Sequence, residues 1–250
     1  MTLSKKLEET IMKNKKILNI SIDMICNMSR RPTNLNDNPL KLSCDLILQD
    51  NMKIDLATSY LDNYFNYKKL NCVNHLYDTK IKKLDKFCVN VFFLPWYHKE
   101  PVTTFTDDAF VSKMSEEKIK QLALKLRDLL ASMKEHDYDP KKFKDRKLGH
   151  VTGYFLKHGS PEDKLRFYVV SGNHRVAAYK SLFPERNSIP IIFEDFRFMK
   201  PRDRQNCGFL ALEEYPNIFS SSNIENWPSV RSGFLSKDEA LSILFKYIYI

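Results

Sequence analysis

The sequence predicts an α+β protein: a mixed sheet with packed helices, preceded by a mainly helical N-terminal extension and closed by a C-terminal helical cap. Between Phe87 and Phe193, short runs of β-branched and aromatic residues alternate with helix-periodic segments, the order expected when helices pack on a sheet. Within that stretch Glu116–His136 carries its apolar residues at steps of three and four, which is the period of a helix with one buried face. A strand-like run, Phe167-Tyr168-Val169-Val170, then passes directly into Ser171-Gly172-Asn173-His174-Arg175 and a second helical segment. On this reading the chain divides into residues 1–85, an N-terminal extension, residues 86–195, the central domain, and residues 196–250, a C-terminal extension packing on it.

Taken in order, residues 2–16 read as a short charged helix, and Ile17–Met28 is apolar with an irregular spacing that suits helix or strand equally. The cluster from Ser29 to Pro39 marks a loop, and residues 40–80 show no firm period. Phe87–Leu94 has the composition of a buried strand and stops at Pro95. In the following helix Ile119, Leu122, Ala123, Leu126, Leu129, Leu130 and Met133 share a face. Ser115 stands at the N-cap, with Glu116 and Glu117 where the helix dipole favours acids. Asp139-Pro140 stops that helix, and a basic loop follows through Lys147. Val151–Leu156 and Leu165–Val170 are strands, Arg175–Phe183 is a helix ended by Pro184, and Ile189–Phe193 is a further strand. Beyond a loop-rich stretch from Phe196 to Trp227, Ser236-Lys237-Asp238-Glu239 is a capping box. It opens a final helix with Ala240, Leu241, Leu244, Tyr247 and Ile248 inward, and Trp227 is expected as a buried anchor.

Composition narrows the classes. With 43% hydrophobic and 28% charged residues in 250, the chain is neither disordered nor in need of covalent staples. Lys plus Arg total 40 against 31 for Asp plus Glu, a formal charge of +9 that favours anionic partners such as nucleotides or nucleic acid. The Lys count is also raised alongside Asn and Ile, as a compositional bias of the source would raise it. No apolar run is long enough to span a bilayer, and the charged opening segment lacks the apolar core of a signal peptide. Cys26, Cys44, Cys72, Cys88 and Cys207 form no C-x-x-C pair. The expectation is a cytoplasmic protein with free thiols, each a small buried hydrophobe.

The strand-to-helix turn at Ser171–Arg175 is where ligand chemistry is expected. Backbone N–H groups at the start of a helix meet the positive end of its dipole, which makes an anion site. Gly172 lets the backbone turn with positive φ and approach a ligand closely. Arg175 adds a planar, permanently charged fork matched to phosphate oxygens. Ala177 and Ala178 allow the helix to pack closely on the sheet. A tight turn with a surface arginine would present the same residues.

The pattern strand–Ser-Gly-Asn-His-Arg–Val-Ala-Ala-Tyr, followed by a short helix and the apolar strand Ser188–Phe193, resembles the ParB/sulfiredoxin superfamily over about residues 86–195. In that superfamily the G-x-x-R turn binds nucleotide phosphates, CTP in partition proteins and ATP in sulfiredoxins and free-serine kinases. The resemblance implies a nucleotide-binding domain in which Ser171, Gly172, Asn173, His174 and Arg175 cradle the phosphates. Sulfiredoxins carry their catalytic cysteine where this chain has Asn173, so their chemistry is not expected here. Nor does a helix-turn-helix pair follow Phe193, which argues against the partition proteins' specific DNA binding.

If the module transfers a phosphoryl group to a small-molecule substrate, the resemblance places the base near the loop after the 87–94 strand. The candidates are Glu100, Asp107 and Asp108, with His98 as the alternative. Mg²⁺ would accompany the nucleotide, although no carboxylate spacing identifies its ligands. Trp96 or Tyr97 either stacks on a base or plugs an aromatic core. The basic runs Lys141–Lys147 and Lys200–Arg204 suit a polyanion or a solvated loop equally, so a non-catalytic DNA- or RNA-binding or regulatory role is the alternative function.

Overall fold

The computed structural model describes residues 17–27, 35–67, 74, 77–87, 91–103, 114–138, 151–159, 165–193 and 218–249. Their strands are β1 (Ile17–Ser21), β2 (Ile25–Asn27), β3 (Val91–Phe92), β4 (Val102–Thr103), β5 (Val151–Lys157), β6 (Leu165–Ser171), β7 (Ser188–Phe193) and β8 (Ile218–Ser220). The helices are α1 (Pro39–Gln49), α2 (Asp55–Tyr67), α3 (Glu116–His136), α4 (Asn173–Leu182), the short α5 (Pro228–Arg231) and α6 (Lys237–Ile248). The α+β class is therefore present, with a mixed sheet.

The main sheet has six strands in the order β1-β7-β5-β6-β2, with β8 also pairing β5. β5 and β6 form an antiparallel pair, as do β1 and β7, while β2 runs parallel to β6 and both β7 and β8 run parallel to β5. Strand alternation then separates two cores. Val151, Phe155, Phe167, Val169, Ile189 and Ile191 face one way, against α1, α2, α3 and α4. Tyr154, Leu156, Tyr168 and Phe219 face the other way, against α6 and the buried side chains of residues 77–96. Gly153 sits at a bulge where β5 crosses β6 so closely that a Cβ would lie 2.0 Å from the Tyr168 carbonyl oxygen.

The N-terminal segment contributes more to the sheet than its irregular spacing suggested. Ile17–Met28, open between helix and strand from sequence, supplies β1 and β2, with Leu18 and Ile20 buried and Asn19 exposed between them. Ile17 stands opposite Ile192 and Ile25 opposite Phe167. The sheet thus draws strands from both sides of residue 86. Of the expected 87–94 strand, the described residues show Val91–Phe92 as β3, paired with β4 in a separate two-stranded sheet. Phe93 and Leu94 leave that ribbon to enter the second core, and a tight turn follows, with the N–H groups of Tyr97 and His98 both donating to the Leu94 carbonyl. The expected charged helix at 2–16 lies outside the described residues.

Two helices match their sequence signals closely. α3 has Ser115 at its N-cap, accepting the Lys118 N–H at 3.3 Å, and six of its seven expected inward residues are buried, with Leu129 packed at the margin. α6 carries the reciprocal capping box of Ser236 and Glu239. Its packing closes the second core around Trp227, which is 1% exposed. No helix among the described residues is long and apolar enough to cross a membrane.

Candidate functional site

The turn between β6 and α4 forms as the sequence suggests, with Gly172 as N-cap in the left-handed region at φ 100° and ψ 15°. Two atoms of Val151, the first residue of β5, press on it: a Cβ at Gly172 would meet Val151 Cα at 3.0 Å and Cγ2 at 3.2 Å. The third close atom is Nη1 of Arg175, 3.3 Å away. The guanidinium therefore folds back over the turn rather than extending away from it. Ser171 is exposed, and Gly172, Asn173, His174 and Arg175 are half-buried.

Electrostatically this helix start differs from those of α1, α3 and α6, which all have a side-chain cap, although α1, capped by Asn38, also has no acid in its first turn. α3 and α6 begin with a serine cap and two acids each, Glu116 and Glu117 or Asp238 and Glu239. α4 has a glycine cap with no side-chain acceptor, no acid in its first turn, and an arginine in its place. A cation beside the positive end of a helix dipole is unfavourable by itself and becomes favourable when an anion lies between them. The side-chain oxygen of Asn173 is buried and accepts no hydrogen bond among the described residues.

Behind the turn stands Tyr138, just before the Asp139-Pro140 helix stop. It is 9% exposed, and its Oη accepts the Val151 N–H at 3.2 Å. Its ring meets that of Tyr179 on α4 edge-on, with centroids 5.4 Å apart. Burial pushes the phenol up to about 12, opposed by the Val151 N–H and by the nearby positive charge of Arg175. The preceding Asp137 receives two hydrogen bonds from Arg186, at 2.6 and 3.1 Å, and Arg186 lies 3.9 Å over the Phe183 ring just past α4. Aromatic residues at the end of one helix and within the next were the only sequence signal for this cluster.

The base candidates are placed as follows. His98 is 2% exposed; its Nδ1 accepts the Leu94 N–H at 3.1 Å and its ring packs near Phe93, in the core on the sheet face opposite α4. Glu100 is exposed in the connection to β4. Asp107 and Asp108 lie outside the described residues, as do both basic runs and Cys72, Cys88 and Cys207. Trp96 takes the core role: it is fully buried, its Nε1 donates to Tyr154 Oη at 2.9 Å, and it packs edge-on against Trp227 and Tyr247. Tyr97 is half-buried beside His98. Cys26 and Cys44 are buried, and desolvation holds both thiols protonated well above their ordinary range. No group of three or more His, Cys, Asp or Glu side chains that would hold a metal occurs among the described residues.

No family model, curated protein or solved structure matches this chain.

Proposed function

We propose that this chain is a nucleotide-binding protein of the ParB/sulfiredoxin-like superfamily, taking ATP or CTP by its phosphates at the Gly172–Arg175 turn. The observation that carries the reading is the placement of the Arg175 guanidinium over a glycine-capped, acid-free helix start. Phosphate oxygens at this point would meet both the positive end of the helix dipole and the guanidinium. Ser171, Asn173 and His174 complete the cradle. The strand–turn–helix–strand order, β6 to β7, follows the layout that the resemblance implies.

A phosphotransferase or NTPase role adds Mg²⁺, held chiefly by the nucleotide's own phosphates, and a base. Glu100 is exposed and free to meet substrate, and Asp107 and Asp108, the other carboxylate candidates, lie outside the described residues. His98 suits the role least, since it is buried with Nδ1 already engaged.

Calorimetric titration of ATP, CTP and GTP into wild-type protein and Arg175→Ala tests the binding step. Removal of the guanidinium is expected to weaken binding at least tenfold, the scale of a charge-assisted hydrogen bond. Equal affinities, or no binding of any nucleotide, would sink the reading.

A further inference from the structure

We infer that Tyr138 is a positioning residue for the phosphate turn, holding Val151 against Gly172 and shaping the seat of the Arg175 guanidinium. The inference rests on the nucleotide reading above and adds a residue remote from the turn in sequence.

The chain of contacts is continuous. Tyr138 Oη accepts the Val151 N–H, and Val151 Cα and Cγ2 form the surface on which Gly172 rests. Arg175 Nη1 also lies within 3.3 Å of the position a Cβ on that glycine would take. The Tyr138 ring packs on Tyr179, whose own hydroxyl donates to the Ser188 carbonyl at 3.0 Å and so ties α4 to β7. One phenol therefore sets the start of β5 and one flank of α4, the two elements that meet at the turn. Val151 N–H is a buried backbone donor, and such donors need an acceptor. Without the hydroxyl, the first residue of β5 must move to find one, and the surface beneath Gly172 moves with it. Arg175 would then lose its fixed approach to the phosphate, because a guanidinium's two-pronged contact needs the right geometry as well as charge.

The test compares Tyr138→Phe with Tyr154→Phe. Both lose one buried phenolic oxygen that accepts an N–H, but Tyr154 stands on the opposite face of the sheet, bonded to Trp96. Nucleotide affinity is read by calorimetry, and the Arg175 Nε–Hε resonance by ¹⁵N NMR of ligand-free protein, assigned by its loss in Arg175→Ala. The expected result is about tenfold weaker binding for Tyr138→Phe, the worth of one hydrogen bond, with a shifted Arg175 resonance. Tyr154→Phe should change neither. Wild-type affinity in Tyr138→Phe, or an equal loss in Tyr154→Phe, overturns the inference while leaving the phosphate reading intact. If the wild type binds no nucleotide, that reading falls, and an unshifted Arg175 resonance in Tyr138→Phe then overturns the positioning claim as well. Should Tyr138→Phe not fold, the wild type decides: bound nucleotide should shift the Tyr138 ring resonances and leave those of Tyr154, and the reverse pattern is fatal to the inference.

Discussion

Arg175 lies over Gly172 so closely that its Nη1 stands 3.3 Å from the position a Cβ on that glycine would take. The same position is 3.0 Å from Val151 Cα, and the backbone there has φ +100°. A side chain at 172 would therefore be crowded by the Val151 main chain and side chain and by the guanidinium, in a conformation that L-residues avoid. Gly172→Ala is expected to cost ~1–3 kcal/mol, which for a chain of this length lowers Tm by roughly 2–4 °C per kcal/mol. It should also weaken nucleotide binding. A thermal melt at unchanged Tm would show that the turn tolerates a methyl group.

The Asp137–Arg186 pair should make stability depend on pH in the acid range. The Arg186 hydrogen bonds, helped by the Tyr138 N–H, hold the Asp137 carboxyl below its ordinary value. A lowered folded pKa means the contribution is complete above the unfolded value near ~3.9 and is lost as pH falls through the folded one. Both side chains are well exposed, so the pair is worth only about 0.2–1 kcal/mol at neutral pH. Urea unfolding of wild type and Arg186→Ala should differ by a constant small amount from about pH 7 to 5, narrowing below about pH 4. A difference that grows in acid would contradict this assignment.

In the second core, Trp96 and Tyr154 form a buried donor–acceptor pair whose loss should be felt from either side. Tyr154→Phe leaves the indole N–H without its acceptor and is expected to cost ~1–3 kcal/mol. Trp96→Ala removes the whole ring from among Trp227, Tyr168 and Tyr247 and is expected to cost ~3–5 kcal/mol. Chemical denaturation with an unchanged m-value measures both. A Tyr154→Phe effect within experimental error would mean that Trp96 finds another acceptor.

Legibility from sequence tracked how local each signal was. α3 was readable because its seven apolar positions, serine cap and acidic first turn all lie within one helix. The β5–β6 pair and the Gly172 turn were readable because adjacent strands, a glycine and a helical run follow one another directly. β1 and β2 were not, since a short apolar run becomes a strand only through partners that the local pattern does not contain, here Ser188–Ile192 and Phe167–Tyr168. For Phe87–Leu94, β-forming composition points to a strand, as at Val91–Phe92, but does not say which sheet it joins, and that strand pairs with β4 outside the main sheet. For Trp96, aromatic character fitted a core plug and a base-stacking platform alike, and only Tyr154, far along the chain, decided between them. Tyr138's acceptor role left no trace in the sequence, because it depends on Val151, across the whole connection to β5.

The pairing of Ile17 with Ile192 also orders events during synthesis. β1 leaves the ribosome well before β7, the strand beside it in the finished sheet, has been made. Until then β1 is an apolar strand with unsatisfied main-chain groups, the kind of segment that invites chaperones or wrong partners. Contacts of such long sequence separation also slow folding, because a large loop must close before they form. The β1 edge of the sheet thus cannot assemble until β7 has been made.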